Sequence, residues 1–159
     1  MVRVERTFEE FFADEYPAQV RTAFVVLGDA ELARETVQEA FARAFARWAR
    51  IKDYDRPGAW VRLVTVRLAL RTRDRRTREL KELDDVGVAD PSFRDDAVVK
   101  AVLALPRSQR AVVALHYLCD WSIDEVARAM GVRPATVRVH LHRARLTLAE
   151  LLREDIADG

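Results

Sequence analysis

Residues Leu105–Leu148, LPRSQRAVVALHYLCDWSIDEVARAMGVRPATVRVHLHRARLTL, constrain the chain more tightly than any other stretch. They read as three short helical patterns separated by two tight breaks. Ser122 followed by Glu125 is a capping box, in which each residue satisfies a backbone N–H at the start of a helix. Ile123, Val126, Ala127 and Met130 then share one face of that helix. Gly131 supplies a sharp turn and Pro134 suits the first position of the next helix. In this last helix Val137, Leu141, Ala144 and Leu148 recur at spacings of three and four, a buried stripe. The remaining face carries Thr136, Arg138, Val139, His140, His142, Arg143 and Arg145, with no acidic residue between Arg133 and Ala149. A small Ala127 inside one helix, a turn glycine four residues later and a basic following helix make a helix-turn-helix.

The rest of the 159-residue chain is compatible with one domain or two small ones. Half of its residues are hydrophobic and a third are charged, the balance of a soluble protein with cores to fill. Only three of the 27 basic residues are lysine, which reflects coding bias more than chemistry. With five glycines, five prolines and only short β-branched runs, the expected fold class is all-α. Cys119 is the only cysteine, so no internal disulfide can form and a reducing compartment is the default. No apolar run has the length of a signal peptide or a membrane span, so the expected location is the cytoplasm, without membrane insertion.

From the N-terminus, Thr7 and Glu10 form a second capping box ahead of Phe8, Phe11 and Phe12. Pro17 lacks an N–H and is expected to kink or restart this helix, which resumes through Val20, Ala23, Phe24 and Leu27. Gly28 ends it, and Asp29 caps a helix over about 30–50 with Leu32, Val37, Phe41, Ala44, Phe45 and Trp48 on its core face. IKDYDRP, Ile51–Pro57, reads as a loop. A further pattern over about 59–73 follows, with Trp60, Leu63, Val64, Leu68 and Leu70, and runs into the tract RTRDRRTR, Arg71–Arg78. Glu79–Asp96 then holds seven acidic residues against Lys81 and Arg94, with no periodicity. The expected organisation is a helical domain over 1–78, a flexible acidic linker over 79–95 and a helix-turn-helix domain over 96–159.

At this point the residues resemble a known family, the sigma-70-type RNA polymerase sigma factors of the extracytoplasmic-function (ECF) group. In the second domain the resemblance to region 4 rests on Leu105-Pro106, Gln109-Arg110, Tyr117, Ser122, Glu125-Val126-Ala127, Met130-Gly131-Val132, Thr136-Val137-Arg138 and Leu141-His142-Arg143-Ala144-Arg145. In the first, resembling region 2, it rests on Phe8–Phe11, Tyr16-Pro17, Gly28-Asp29, Val37-Gln38-Glu39-Ala40-Phe41 and Trp60. The resemblance implies that Glu35, Gln38 and Glu39 dock on the clamp of core RNA polymerase. It implies capture of the −10 promoter element at the loop Lys52–Gly58 and reading of the −35 element by the basic helix. An anti-sigma factor is an implied regulator. The chain departs from the family where Asp is usual at Glu35, Arg-Asn near Val66-Arg67 and Asp at Arg71. The first change is conservative; the others retain or raise positive charge and put base selectivity at −10 in question.

A helix in the major groove uses Arg for guanine edges and phosphates and small or apolar groups for thymine methyls. That gives Arg133, Thr136, Arg138, Val139, His140, His142 and Arg143 as −35 candidates. Melted DNA favours basic grooves with stacking rings, which gives Tyr54, Arg67, Arg71, Arg73, Arg75 and Arg76 as −10 candidates. Plainer readings stand beside these. The Arg tract also suits a solvated helix end favoured by the dipole, and Glu35, Gln38 and Glu39 also suit a solvated face. Trp48, Trp60 and Trp121 read as core, His116 as a partly buried imidazole and Cys119 as an inert small hydrophobe. His140 and His142 point to different helix faces, so no metal is expected, and no motif points to a cofactor. No carboxylate cluster or nucleophile motif supports an enzyme. The alternative is a conventional helix-turn-helix activator or repressor acting without being a polymerase subunit.

Overall fold

The computed structural model describes residues 5–79 and 97–158, and the expected linker falls almost wholly outside them. The described residues are helical and contain no strand. The first half holds α1 (Phe8–Leu27), α2 (Ala30–Ala46), α3 (Trp48–Ile51) and α4 (Pro57–Glu79). The second holds α5 (Ala97–Leu103), α6 (Arg107–Val113), a π-helical segment (Ala114–Leu118), α7 (Ile123–Met130) and α8 (Pro134–Asp158).

The local start and stop signals act as the chemistry requires. Thr7 and Ser122 each accept a hydrogen bond from the backbone N–H three residues on, and Glu10 and Glu125 reciprocate. Asp29 caps α2 by accepting from the Leu32 N–H at 3.0 Å. Gly28 and Gly131 close α1 and α7 in the left-handed region, at φ 69° and 67°.

Pro17 does not break α1, which continues through it. Pro17 and Ala13, whose carbonyl loses its partner, are both exposed, so water replaces the missing bond. Packing secures the helix on either side of the proline: Phe11 and Phe24 are buried, and Phe12 stacks on Tyr16. The second helix is shorter than its apolar pattern suggests. It ends at Ala46, and the irregular Arg47 redirects the chain into α3. Phe45, expected in the core, is consequently 64% exposed and touches Phe8 edge-on at 5.1 Å. Ile51, expected in a loop, is fully buried at the end of α3. The last helix of the first half also outruns its expected bounds, starting at Pro57 and carrying the Arg tract as helix.

The two halves share apolar packing. One cluster joins Val25, Val26 and Leu27 of α1 and Val66, Ala69 and Leu70 of α4 to Leu105, Val112, Leu115, Val126, Val137 and Leu141 of the second half. Conversely, Val99 of α5 joins the aromatic core around Phe11, Phe24 and Phe41. Arg110 of α6 is also buried and lies over Gly28, where an added Cβ would sit 3.1 Å from its Nη2. Gly28 therefore meets two demands, positive φ and close approach, whereas the space around Gly131 is open. Gly131→Ala should cost about 1–2 kcal/mol through backbone strain alone, and Gly28→Ala should cost more because Arg110 must also move. Denaturant titrations of the two variants check this ordering; equal losses would show that Arg110 yields freely.

Candidate nucleic-acid interface

The surface of α8 is built from below. Val137, Leu141 and Ala144 are buried and Leu148 packs on the same cluster, which fixes the rotation of the helix about its axis. At 100° per residue the opposite face is centred on Ala135, Val139, His142, Arg143 and Leu146. All of these are exposed, Val139 by 46% and Leu146 by 57%. Arg138 and Arg145 form one exposed flank, and Arg133 stands exposed before the first turn. Thr136 and His140 lie on the other flank and are only half-buried rather than open. The Nδ1 of His140 is itself buried without a hydrogen-bond partner, so this imidazole sits deeper than its place in the sequence suggested. An exposed strip of arginine and histidine bounded by apolar groups, with no acid within it, can meet both phosphate oxygens and base edges.

The −10 candidates are not gathered into one patch. Arg67 and Arg71 line a cleft of about 690 Å³ whose opposite wall is Trp121, Glu125 and Arg128 around α7. Arg73 is drawn to its neighbour Asp74, with Nη2 to Oδ1 at 3.2 Å, and its side chain is 15% exposed. Arg75 and Arg76 turn the other way, into a groove with Asp29, Glu31 and Glu35, where Arg76 Nη1 is 3.4 Å from Asp29 Oδ2. Tyr54 stands 41% exposed in the turn before α4. Helical continuation of the tract causes this split, because consecutive arginines on a helix fan out by 100° each.

Glu35, Gln38 and Glu39 are all exposed along α2, with Glu39 accepting from Arg43 Nε at 2.9 Å. Phe45 shares this exposed face with Gln38 and Ala42, a neighbour that periodicity assigned to the core. Its signal was the helix end at Ala46, which nothing in the local sequence marks. The second residue missed as a candidate is Tyr117, whose Oη accepts from Arg145 Nε at 2.7 Å.

The three tryptophans are each partly buried against a core cluster. His116 is half-buried with Nδ1 2.8 Å from the Trp121 carbonyl. Among the described residues no group of three His, Cys, Asp or Glu is placed to hold a metal ion, and no helix is long and apolar enough to cross a membrane. Cys119 is buried, and burial pushes its thiol up from 9.0 to about 11, with nearby Arg62 opposing and Asp120 adding to the rise. The folded state thus keeps a proton that the unfolded thiol gives up. Its contribution to stability is complete below pH 9 and is lost as pH rises toward about 11. At about 1.4 kcal/mol per pH unit, Cys119→Ala should lose less stability than the parent between pH 9 and 11. Paired denaturation curves measure the difference, and parallel curves would contradict it.

A family model described as Sigma-70, region 4 matches residues 95–148, which contain the helix-turn-helix. The RNA polymerase sigma-E factor of Streptomyces coelicolor is 33% identical over 91% of this chain and 85% of its own length. The ECF RNA polymerase sigma factor SigL of Mycobacterium tuberculosis is 32% identical over 87% of each. The sigma factor RpoE of Bartonella quintana, solved in complex with the anti-sigma factor NepR, shares the fold with a TM-score of 0.64 at 21% identity, covering 92% of this chain and 96% of that one. The exposed basic helix of a helix-turn-helix and similarity to these relatives over most of each chain agree, and the chain belongs to the ECF group of sigma-70-type RNA polymerase sigma factors.

Proposed function

We propose that this sigma factor binds core RNA polymerase and directs it to promoters through two separate DNA contacts. The carrying observation is the exposed, acid-free face of α8, held by a buried stripe at the end of a helix-turn-helix. Arg133, Arg138 and Arg143 read guanine edges or phosphates of the −35 element, Val139 and Thr136 meet thymine methyls, and His140 and His142 fill the flank and centre. Arg67 and Arg71, with Tyr54, hold the melted −10 strand; Arg73, Arg75 and Arg76 supply charge behind them. On α2, Glu35, Gln38 and Glu39 dock on the polymerase clamp, with the exposed ring of Phe45 as the apolar centre of that patch. The protein acts in the cytoplasm, catalyses nothing itself, and is held inactive by an anti-sigma factor. The relative solved in complex with such an inhibitor supports that last part.

The decisive experiment is transcription from a genomic fragment library by core polymerase with and without the protein. New sequence-specific start sites are expected, and Arg143→Ala or Arg138→Ala should weaken promoter binding by about 1–3 kcal/mol where the residue reads a base. Tight binding to a palindrome by the protein alone, with no new starts, would point to a conventional regulator.

This reading also sets a distance. Elements centred at −35 and −10 lie about 25 base pairs apart, roughly 85 Å along B-form DNA. Here α7 and α4 face each other across one cleft, so the shared packing between the halves must part when both elements are held. Dyes on Arg50→Cys and Arg153→Cys, both exposed, should transfer energy efficiently in the free protein and much less in the promoter complex. Unchanged transfer in an active complex would refute the separation.

A further inference from the structure

Two backbone irregularities sit side by side just before α7. Ala114–Leu118 is π-helical, with the Cys119 N–H reaching back to the Ala114 carbonyl at 3.2 Å. Asp120 then adopts φ 55°, the only non-glycine with positive φ among the described residues. A π-turn inserts one residue and rotates the side chains after it, and such conformations persist where surrounding structure holds them for a purpose. Leu115 is fully buried, whereas Tyr117 stands 50% exposed, over the flank of α8.

There the Tyr117 Oη accepts from Arg145 Nε at 2.7 Å, and the Arg145 guanidinium carbon is 5.8 Å from the tyrosine ring centre. His116 meets the ring edge-on at 4.9 Å and is itself anchored, Nδ1 to the Trp121 carbonyl, at 2.8 Å. The tyrosine is thus braced from one side and the arginine from the other. No carboxylate pairs with Arg145 among the described residues, so its charge stays uncompensated.

The hydrogen bond sorts the donors. With Nε committed to Tyr117, the two terminal nitrogens of Arg145 remain as a fork suited to two oxygens of one anion. Because the phenol oxygen accepts from arginine, its own O–H is left to donate outward. Three donors therefore converge beside the reading face, on its Arg138 flank rather than its centre. In a helix-turn-helix the first helix crosses the DNA backbone while the N-terminal residues of the recognition helix meet the base edges, and Arg145 lies three turns into α8. We propose that Tyr117 and Arg145 form a clamp for one DNA backbone phosphate, with Tyr117 the positioning residue that aims Arg145. The clamp rests on the reading that α8 enters the major groove.

The test uses holoenzyme and a duplex promoter taken from the mapped start sites, with affinity measured against salt for Tyr117→Phe, Arg145→Ala, the double variant and Arg143→Ala. Arg145→Ala should weaken binding alike on every −35 sequence and lower the salt slope by about one. Tyr117→Phe keeps the ring and should weaken binding about 3- to 10-fold, and the double variant should be no worse than Arg145→Ala. A loss that depends on one base pair would make Arg145 a base reader and overturn the clamp. A Tyr117→Phe protein that melts earlier but binds with unchanged affinity and salt slope would also overturn it, leaving only a structural brace. If Arg143→Ala weakens binding while Tyr117→Phe and Arg145→Ala do not, the clamp falls and the major-groove reading stands. If all three are without effect, both fall.

Discussion

The last six residues of α1, Thr22–Leu27, face water on no side, and the rest of the molecule is arranged to satisfy them. Residues Thr22–Leu27 are all buried, and the one hydroxyl among them bonds within its own helix, Thr22 Oγ1 to the Ala18 carbonyl at 3.1 Å. A helix that is apolar around its whole circumference must be surrounded. In a chain this short a single layer of partners cannot do that. One side of α1 packs on α2 and α4, and the other on α5, α6 and the π-helical segment. The helix that organises the first half is therefore also the floor on which the helix-turn-helix stands.

A surrounded helix brings its terminal carbonyls into the interior, where they need partners. Gly28 closes α1 by donating its N–H to the Phe24 carbonyl at 2.7 Å, and the Arg110 guanidinium lies over it, at the negative end of the helix dipole. Arg110 also donates Nη1 to the Leu103 carbonyl at 3.3 Å, near the end of α5. One buried cation thus serves two helix ends that converge from different halves. These contacts offset part of the cost of an arginine at 4% exposure in a largely apolar interface. They also explain why a glycine, besides ending α1, keeps the approach open.

Signals that act over three or four residues were legible in the sequence, and those that depend on distant packing were not. Capping boxes at Thr7 and Ser122, the Asp29 cap, the left-handed glycines and Pro134 all specify backbone hydrogen bonds with near neighbours. The stripe Val137, Leu141, Ala144 and Leu148 was legible for the same reason, and with it the exposed face of α8. The helix does not restart at Pro17, because whether a proline ends a helix depends on what packs before and after it. Phe45 and Ile51 exchanged places because the break at Arg47, which shifts the helical phase, has no local mark. The shared packing of the halves was invisible, since the apolar run of α1 says that it is covered but not by what. The π-turn carries no compositional signature, so Tyr117 was noticed for family resemblance and not for its contact with Arg145.

The interactions that close the molecule and those suited to DNA differ in their response to the medium. The halves meet mainly through aliphatic side chains, a contact that salt leaves largely unchanged or strengthens. A DNA contact made through arginines, as proposed for α8 and α4, would release counterions and weaken steeply as salt rises. On the proposed reading, closure and promoter engagement compete on unequal terms, and rising ionic strength favours the closed arrangement. Polymerase alters that balance without new charge on the sigma factor. Docking both halves on one large particle makes each DNA contact intramolecular and raises the effective concentration of the other. A chain with net charge +1 can then hold a polyanion at physiological salt, because its positive charge is sorted onto a few helical faces rather than spread evenly over the surface.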